Sequence, residues 1–174
     1  MNKKIIIIQV SGFREEKDQA TVIRAMQYLP ENTQLFLVGD GTTRSRCEQL
    51  VKELDLSGKV LFLGIRTDVP ELLKSSDIVV VSSHWEGFGL TAVEGMAAGK
   101  PVIASNVPGL NNVVNGAGLL FTHEDEKDLA EKIKSLIDNV DFYNKIVDNC
   151  RERAKLYDIN TMVDRYIELY KHLH

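Results

Sequence analysis

The chain has 174 residues, is 44% hydrophobic and 26% charged, and sets 21 Lys and Arg against 25 Asp and Glu for a net charge of −4. That length gives one domain with room for a substantial core, and the composition is ordinary for a folded globular protein. The mildly acidic balance argues against a nucleic-acid binder, Lys3 and Lys4 are too few for a basic membrane patch, and no apolar run approaches the roughly 20 residues of a membrane span.

In chain order, KKIIIIQV (Lys3 to Val10) reads as a buried strand, and it is too short to be the core of a secretory signal. Gln19 to Leu29 carries Val22, Ile23, Met26 and Leu29 at helical spacing, and Pro30 stops it. QLFLVG (Gln34 to Gly39) is the second strand, Arg44 to Leu56 the second helix, and KVLFLG (Lys59 to Gly64) the third strand. VPELLKSS is a short helix, followed by a strand over Asp77 to Ser83, a helix over Leu90 to Ala98, a strand over Pro101 to Ser105 and a short strand over Gly118 to Phe121. Three amphipathic helices end the chain, and the last presents Ile159, Met162, Val163, Tyr166, Ile167 and Tyr170 on one face.

The strands are continuous Val, Ile and Leu runs, as strands buried on both faces are. Their alternation with helices predicts an α/β fold: a doubly wound, mostly parallel six-stranded sheet with helices on both faces and C-terminal helices beyond it. Ligands of such sheets bind at the carboxyl ends of the strands, so the loops after Val10, Val38, Leu63, Val81 and Ala104 are where a site is expected.

The loop after the fourth strand reads HWEGFGL. A glycine turn entering a helix gathers amide N–H groups at the positive end of the helix dipole, where a phosphate binds well. Gly87 and Gly89 would let a ligand approach the backbone. Glu94 lies on a helix with no charged face and no basic residue at i±3 or i±4, which predicts a largely buried carboxylate in need of a partner. The hydroxyl pair of a ribose or a sugar would satisfy it, and Glu86 would serve a second sugar. Arg14 and Lys17, after the first strand, are cations within range of the same phosphates. The third loop, Gly64 to Asp68, would offer backbone groups to a base. GDGTTR resembles a dinucleotide fingerprint only superficially.

Cys47 and Cys150 stand far apart without a CxxC, as reduced thiols of a cytosolic protein do. His84, His123, His172 and His174 show no metal-ligand spacing, so no metal is expected, and His84 is read as structural. Neither G-x-S-x-G nor a Walker loop is present.

EGFGLTAVEGMAAGKPVIAS resembles the signature of the retaining group 4 glycosyltransferases of GT-B fold, with Glu86 and Glu94 as its E-x7-E pair. Three further features agree in order: the F-x-x-x-K-D ending in Lys17 and Asp18, LFLVGDGTTR, and VLFLGIRTDVPELLKSSDIVVVSSHWEGFG. The resemblance runs from Ile5 to at least Phe121. It implies that residues 1–174 are the donor-binding, C-terminal half of a two-domain transferase, with the helix over residues 158–174 packing on the missing N-terminal half. It implies a nucleoside-diphosphate-sugar as donor substrate, with no cofactor and no metal. Glu94 would hold the ribose hydroxyls and Glu86 the donor sugar. The amides of Gly87, Phe88, Gly89, Leu90 and Thr91, with the Lys17 ammonium, would hold the diphosphate, and the backbone near Arg66 would meet the base.

The partners so implied are a nucleotide-sugar, the acceptor half, and a glycan or lipid acceptor of surface polysaccharide or lipopolysaccharide synthesis. Nucleic acid is not among them. The expected place is cytoplasmic, with the full-length protein at the inner face of the membrane through its other half. Two positions depart from the family pattern. Gly12 stands where an Arg is usual, five residues before Lys17, with Arg14 two residues away, and Asn112 stands at the Glu position of a later G-G-x-x-E. A non-catalytic nucleotide-binding or partner-docking module of the same fold is the alternative reading. A nicotinamide-dependent oxidoreductase lacks its glycine fingerprint here.

Overall fold

Six strands form one all-parallel sheet: β1 (Ile5–Val10), β2 (Thr33–Val38), β3 (Val60–Gly64), β4 (Ile78–Val81), β5 (Val102–Ser105) and β6 (Leu119–Phe121), in the spatial order β3-β2-β1-β4-β5-β6. The computed structural model describes residues 4–172, without the side chains of Met162, Asp164, Arg165 and His172. Lys3 at the expected start of the first strand, and Met162 on the face expected for the last helix, thus lie outside what is described.

The helices are α1 (Gln19–Ala25, continued by a 3₁₀ turn Met26–Tyr28), α2 (Arg44–Glu53), α3 (Val69–Ser75), α4 (Leu90–Ala97), α5 (Leu110–Val114), α6 (Glu126–Ile137), α7 (Val140–Lys155) and α8 (Ile159–His172). α1 packs against α2 and α6 on one face of the sheet, and α4 packs against α3, α5 and α7 on the other. The sheet is parallel throughout, where the sequence had suggested one that is mostly so.

Burial on both faces explains the strand sequences. Ile7, Ile8, Leu35, Leu37, Val79, Val80, Val102, Ile103 and Ala104 have no more than trace exposure and face helices on either side. The helices start where their caps allow. Asp18 accepts from Thr21 N–H at 3.1 Å and opens α1. Asp125 accepts from Lys127 and Asp128 N–H at 3.0 Å each and opens α6, and Asn139 accepts from Phe142 N–H at 2.9 Å and opens α7.

The expected fourth strand, Asp77 to Ser83, is shorter at its end. Ser83 N–H donates to the Ser105 hydroxyl at 3.0 Å, and that hydroxyl donates to the Ser83 carbonyl at 2.8 Å. A side chain thus replaces the ladder, and the chain leaves the sheet early. α5 was not expected. Arg153 of α7 holds its carboxyl end by donating to the Val113 carbonyl at 2.9 Å and the Asn115 carbonyl at 2.9 Å. β1 neighbours both β2 and β4, so the strand order reverses between β1 and β4, and the loops leaving these two strands part at their carboxyl ends. A crevice forms at such a reversal.

Candidate functional site

The two loops at the reversal are laced together. Asp18 N–H donates to the Ser82 carbonyl at 3.2 Å, the Ser82 hydroxyl donates to Asp18 Oδ2 at 3.2 Å, and His84 N–H donates to the Glu16 carbonyl at 2.9 Å. Gln19 Nε2 reaches back to the Gly12 carbonyl at 3.0 Å and the Ser11 hydroxyl at 3.1 Å. Asp18, Gln19, Ser82 and Ser83 are all buried, so these bonds are sheltered from competing water. Their effect is to fix Lys17 against Glu86. Lys17 Nζ donates to Glu86 Oε2, and the Ser83 hydroxyl donates to the same oxygen at 3.4 Å. Both charged side chains are about four-fifths buried, with 20% and 21% exposure.

This pair lies in a cavity of about 320 Å³ lined by Gln9, Ser11, Gly12, Ser83, Phe88, Gly89, Leu90 and Thr91 among others. α4 enters the cavity amino end first. Gly89 caps it at φ 85°, and no side chain bonds the cap. The first helical bonds run from Ala92 and Val93 N–H to the Gly89 carbonyl, which leaves the amides of Leu90 and Thr91 ahead of the ladder. A lysine ammonium and the positive end of a helix therefore serve one space, an arrangement that favours an anion.

Of the residues expected at the site, the structure brings together Lys17, Glu86, Phe88, Gly89, Leu90 and Thr91. Gly87 adjoins them in the same loop, with nothing within 4 Å of where a side chain would start. Glu94 is a correction: it is exposed, not buried. α4 buries Ala92, Gly95 and Met96, with Gly95 pressed on Val79, and turns Leu90, Glu94 and Ala97 outward on one face. The helix is apolar apart from Glu94 because its other side meets β4 and α7, and Glu94 stands on the open side, one turn beyond Leu90. Arg14 lines a neighbouring groove of about 560 Å³ with Lys17, Asp18 and Arg24, and does not line the Lys17–Glu86 cavity. Its Nε nevertheless lies 3.6 Å from where a Cβ at Gly12 would stand. Arg66 is exposed and its fork is taken by Asp68 at 2.8 and 2.6 Å. That hydrogen bond raises the Arg66 pKa and lowers that of Asp68.

Two residues near the cavity were not among those expected there. Phe88 meets Tyr157, at the end of α7, edge to face at 5.3 Å between ring centres. Gln9, near the carboxyl end of apolar β1, is buried and lines the cavity with its Oε1 unpaired. Gln9 was legible as the one polar residue in IIIIQV, and Tyr157 was not, because nothing local links it to Phe88.

A family profile described as glycosyl transferases group 1 matches residues 1–153. The chain is 31% identical over 98% of its length to an N,N'-diacetylbacillosaminyl-diphospho-undecaprenol alpha-1,3-N-acetylgalactosaminyltransferase of Campylobacter jejuni, of which it covers 45%. It is 32% identical over 95% of its length to a lipopolysaccharide core biosynthesis glycosyltransferase of Rhizobium meliloti, of which it covers 49%. Its fold matches the crystal structure of the Anabaena protein HepE in complex with UDP, with a TM-score of 0.92 and 28% identity over 98% of this chain and 49% of that one. The chain thus spans about half the length of the relatives and structures it matches. With its six-stranded parallel sheet covered on both faces, the chain belongs to the glycosyl transferases group 1 family, of GT-B type.

Proposed function

We propose that this chain is the donor-binding half of a retaining glycosyltransferase that moves a sugar from a nucleoside-diphosphate-sugar to a glycan or lipid acceptor in surface polysaccharide or lipopolysaccharide synthesis. The observation that carries the reading is the Lys17–Glu86 pair beside the amino end of α4 in one cavity. The relatives named for N-acetylgalactosamine transfer and lipopolysaccharide synthesis, and the UDP in the HepE structure, support it.

Diphosphate is the leaving group, so stabilising its growing charge is the catalytic task of this half. The Lys17 ammonium would leave Glu86 for the phosphate oxygens, and the amides of Leu90 and Thr91 would face the same oxygens along the α4 dipole. Glu86, released from Lys17, would accept hydrogen bonds from donor-sugar hydroxyls. Glu94, on the open face of α4, would take the ribose hydroxyls, and the backbone beside Arg66 the base. Arg14, lying over Gly12, would supply the cation that residue 12 lacks. The acceptor would come from the missing half, at the inner face of a membrane.

The test is transfer from UDP-sugars to a lipid-linked acceptor, read by product formation and by the anomeric configuration of the product. The full-length protein is expected to transfer with retention, and the 174-residue chain alone is expected to transfer little. An inverted product, or efficient transfer by the chain alone, would overturn the corresponding part. A ribose contact at Glu94 predicts that Glu94→Ala weakens UDP binding and leaves pyrophosphate binding unchanged. Equal losses for both ligands would contradict it.

A non-catalytic nucleotide-binding or partner-docking module is the second reading, and Gly12 favours it. Absence of transfer by the full-length protein, with nucleotide binding intact, would establish it. A Cβ at Gly12 would meet Arg14 and the Asp40 carbonyl only at ordinary contact distance, so Gly12→Arg, checked for a wild-type melting temperature, tests whether the site lacks a cation.

A further inference from the structure

The loops that leave β4 and β6 place three donor atoms together that are far apart in the sequence. His84 Nδ1 lies 2.6 Å from His123 Nε2 and 3.4 Å from Glu124 Oε1, and one ligand atom from each of the three residues falls within 4.8 Å of the others. The two rings meet edge to face, at 84° and 4.9 Å between centres. Glu124 takes a left-handed backbone conformation, φ 61°, directly after His123. His84 is held from behind by its N–H bond to the Glu16 carbonyl.

We infer that His84, His123 and Glu124 form a binding site for a divalent transition-metal ion of the zinc class. A hydrogen bond accounts for the contact between the two rings but leaves Glu124 Oε1, 3.4 Å from the same nitrogen, without a proton of its own. A neutral imidazole nitrogen carries at most one proton, and His84 Nδ1 faces an imidazole nitrogen and a carboxylate oxygen at once. A divalent cation satisfies all three donors together. Zinc bonded to nitrogen and oxygen at about 2.0–2.2 Å sets its ligand atoms roughly 3.4 Å apart in a tetrahedron, so the two rings need part by less than about 1 Å. Two imidazoles with one carboxylate suit zinc, cobalt or nickel, whereas magnesium and calcium take oxygen ligands. Three protein donors leave a fourth position, and His84 and Glu124 both line the groove that also holds Arg14 and Lys17. That groove is the path by which an ion and a further ligand reach the site.

The ion would clamp the β4–α4 loop to the β6–α6 loop, two residues before Glu86. The sequence spacing gave no sign of it, because 39 positions separate the two histidines.

The probe is Co²⁺, titrated into the metal-free 174-residue chain at neutral pH and followed by its visible absorption, with Zn²⁺ as competitor. One equivalent of Co²⁺ is expected to give an absorption band that Zn²⁺ abolishes, and to raise the melting temperature. His123→Asn and Glu124→Gln, each with a wild-type circular dichroism spectrum, are expected to weaken binding by about tenfold or more, the loss typical of a disturbed metal site. The double variant His172→Ala/His174→Ala is expected to bind as the parent does. Unchanged Co²⁺ affinity in both His123→Asn and Glu124→Gln would overturn the proposal, as would loss of binding in the tail variant. Nucleotide binding is measured separately, so failure here leaves the donor-site reading intact.

Discussion

Gly87 and Gly109 show how differently two glycines of one region are used. A Cβ at Gly109 would stand 2.0 Å from the Glu86 carbonyl oxygen, and its φ is 87°. Both the close approach and the left-handed backbone require glycine there. A Cβ at Gly87 would meet nothing within 4 Å. Gly109→Ala is therefore expected to lower the melting temperature and displace Glu86. Gly87→Ala is expected to leave the melting temperature within a degree or two while it weakens nucleotide binding, since a ligand is what would approach it. Thermal unfolding with calorimetry distinguishes the two, and unchanged nucleotide affinity in Gly87→Ala would remove the ligand from the account of that residue. The thiols form a second residue-scale test. Burial raises Cys47 and Cys150 from 9.0 to about 11. The unfolded thiols ionise first, so stability is undiminished by these groups below about 9 and falls as pH rises from there toward about 11. Neither thiol is expected to react with a disulfide reagent at pH 8 before the chain unfolds, and rapid titration of either in the native protein would contradict this.

At the scale of elements, the sheet and most helices were legible because each strand is a continuous apolar run between turn residues. α5 was not, since Leu110–Val114 is too short to show a period and its two asparagines are poor helix formers. Its burial of Leu110, Val113 and Val114 against the rest of the core is a tertiary effect. The candidate site was partly legible for the same kind of reason. Lys17 and Glu86 announce themselves as charges in loops at strand ends, but nothing local says that they pair. That pairing comes from the bonds between Asp18 and Ser82, and between His84 and Glu16, which link distant loops. Glu94 was misjudged because an apolar helix was assumed to be buried all round, and α4 leaves one face open. Tyr157 is the element-scale test. Its ring contact with Phe88 braces the α4 entry loop from the end of α7. An aromatic pair contributes about 0.5–1.5 kcal/mol beyond its buried area, so Tyr157→Ala is expected to weaken nucleotide binding by roughly two- to tenfold. Full affinity in that variant would mean that the loop holds its shape without the ring.

At the scale of the whole molecule, the chain spans 45–49% of the length of the relatives it matches. Its exposed apolar residues gather in two places. Ile65, Trp85 and Phe88 stand out on the loops at the carboxyl edge of the sheet, Leu90 at the start of α4, and Ile159, Val163, Tyr166 and Tyr170 on α8. Exposed apolar faces of this kind mark interaction surfaces. An N-terminal half would cover both. The chain is then expected to bind a hydrophobic dye or to dimerise, and the full-length protein to do neither. Equal dye binding by the two would place the partner elsewhere. The central claim, that the Lys17–Glu86 cavity is the seat of a diphosphate, is tested most directly by calorimetric titration of the chain and of Lys17→Ala with UDP, GDP and ADP. The account predicts selective binding of one nucleotide and a loss of about 1.5–3 kcal/mol in the variant, roughly ten- to hundredfold in affinity, as expected for a hydrogen bond to a charged group. Binding of equal strength in parent and variant would contradict it.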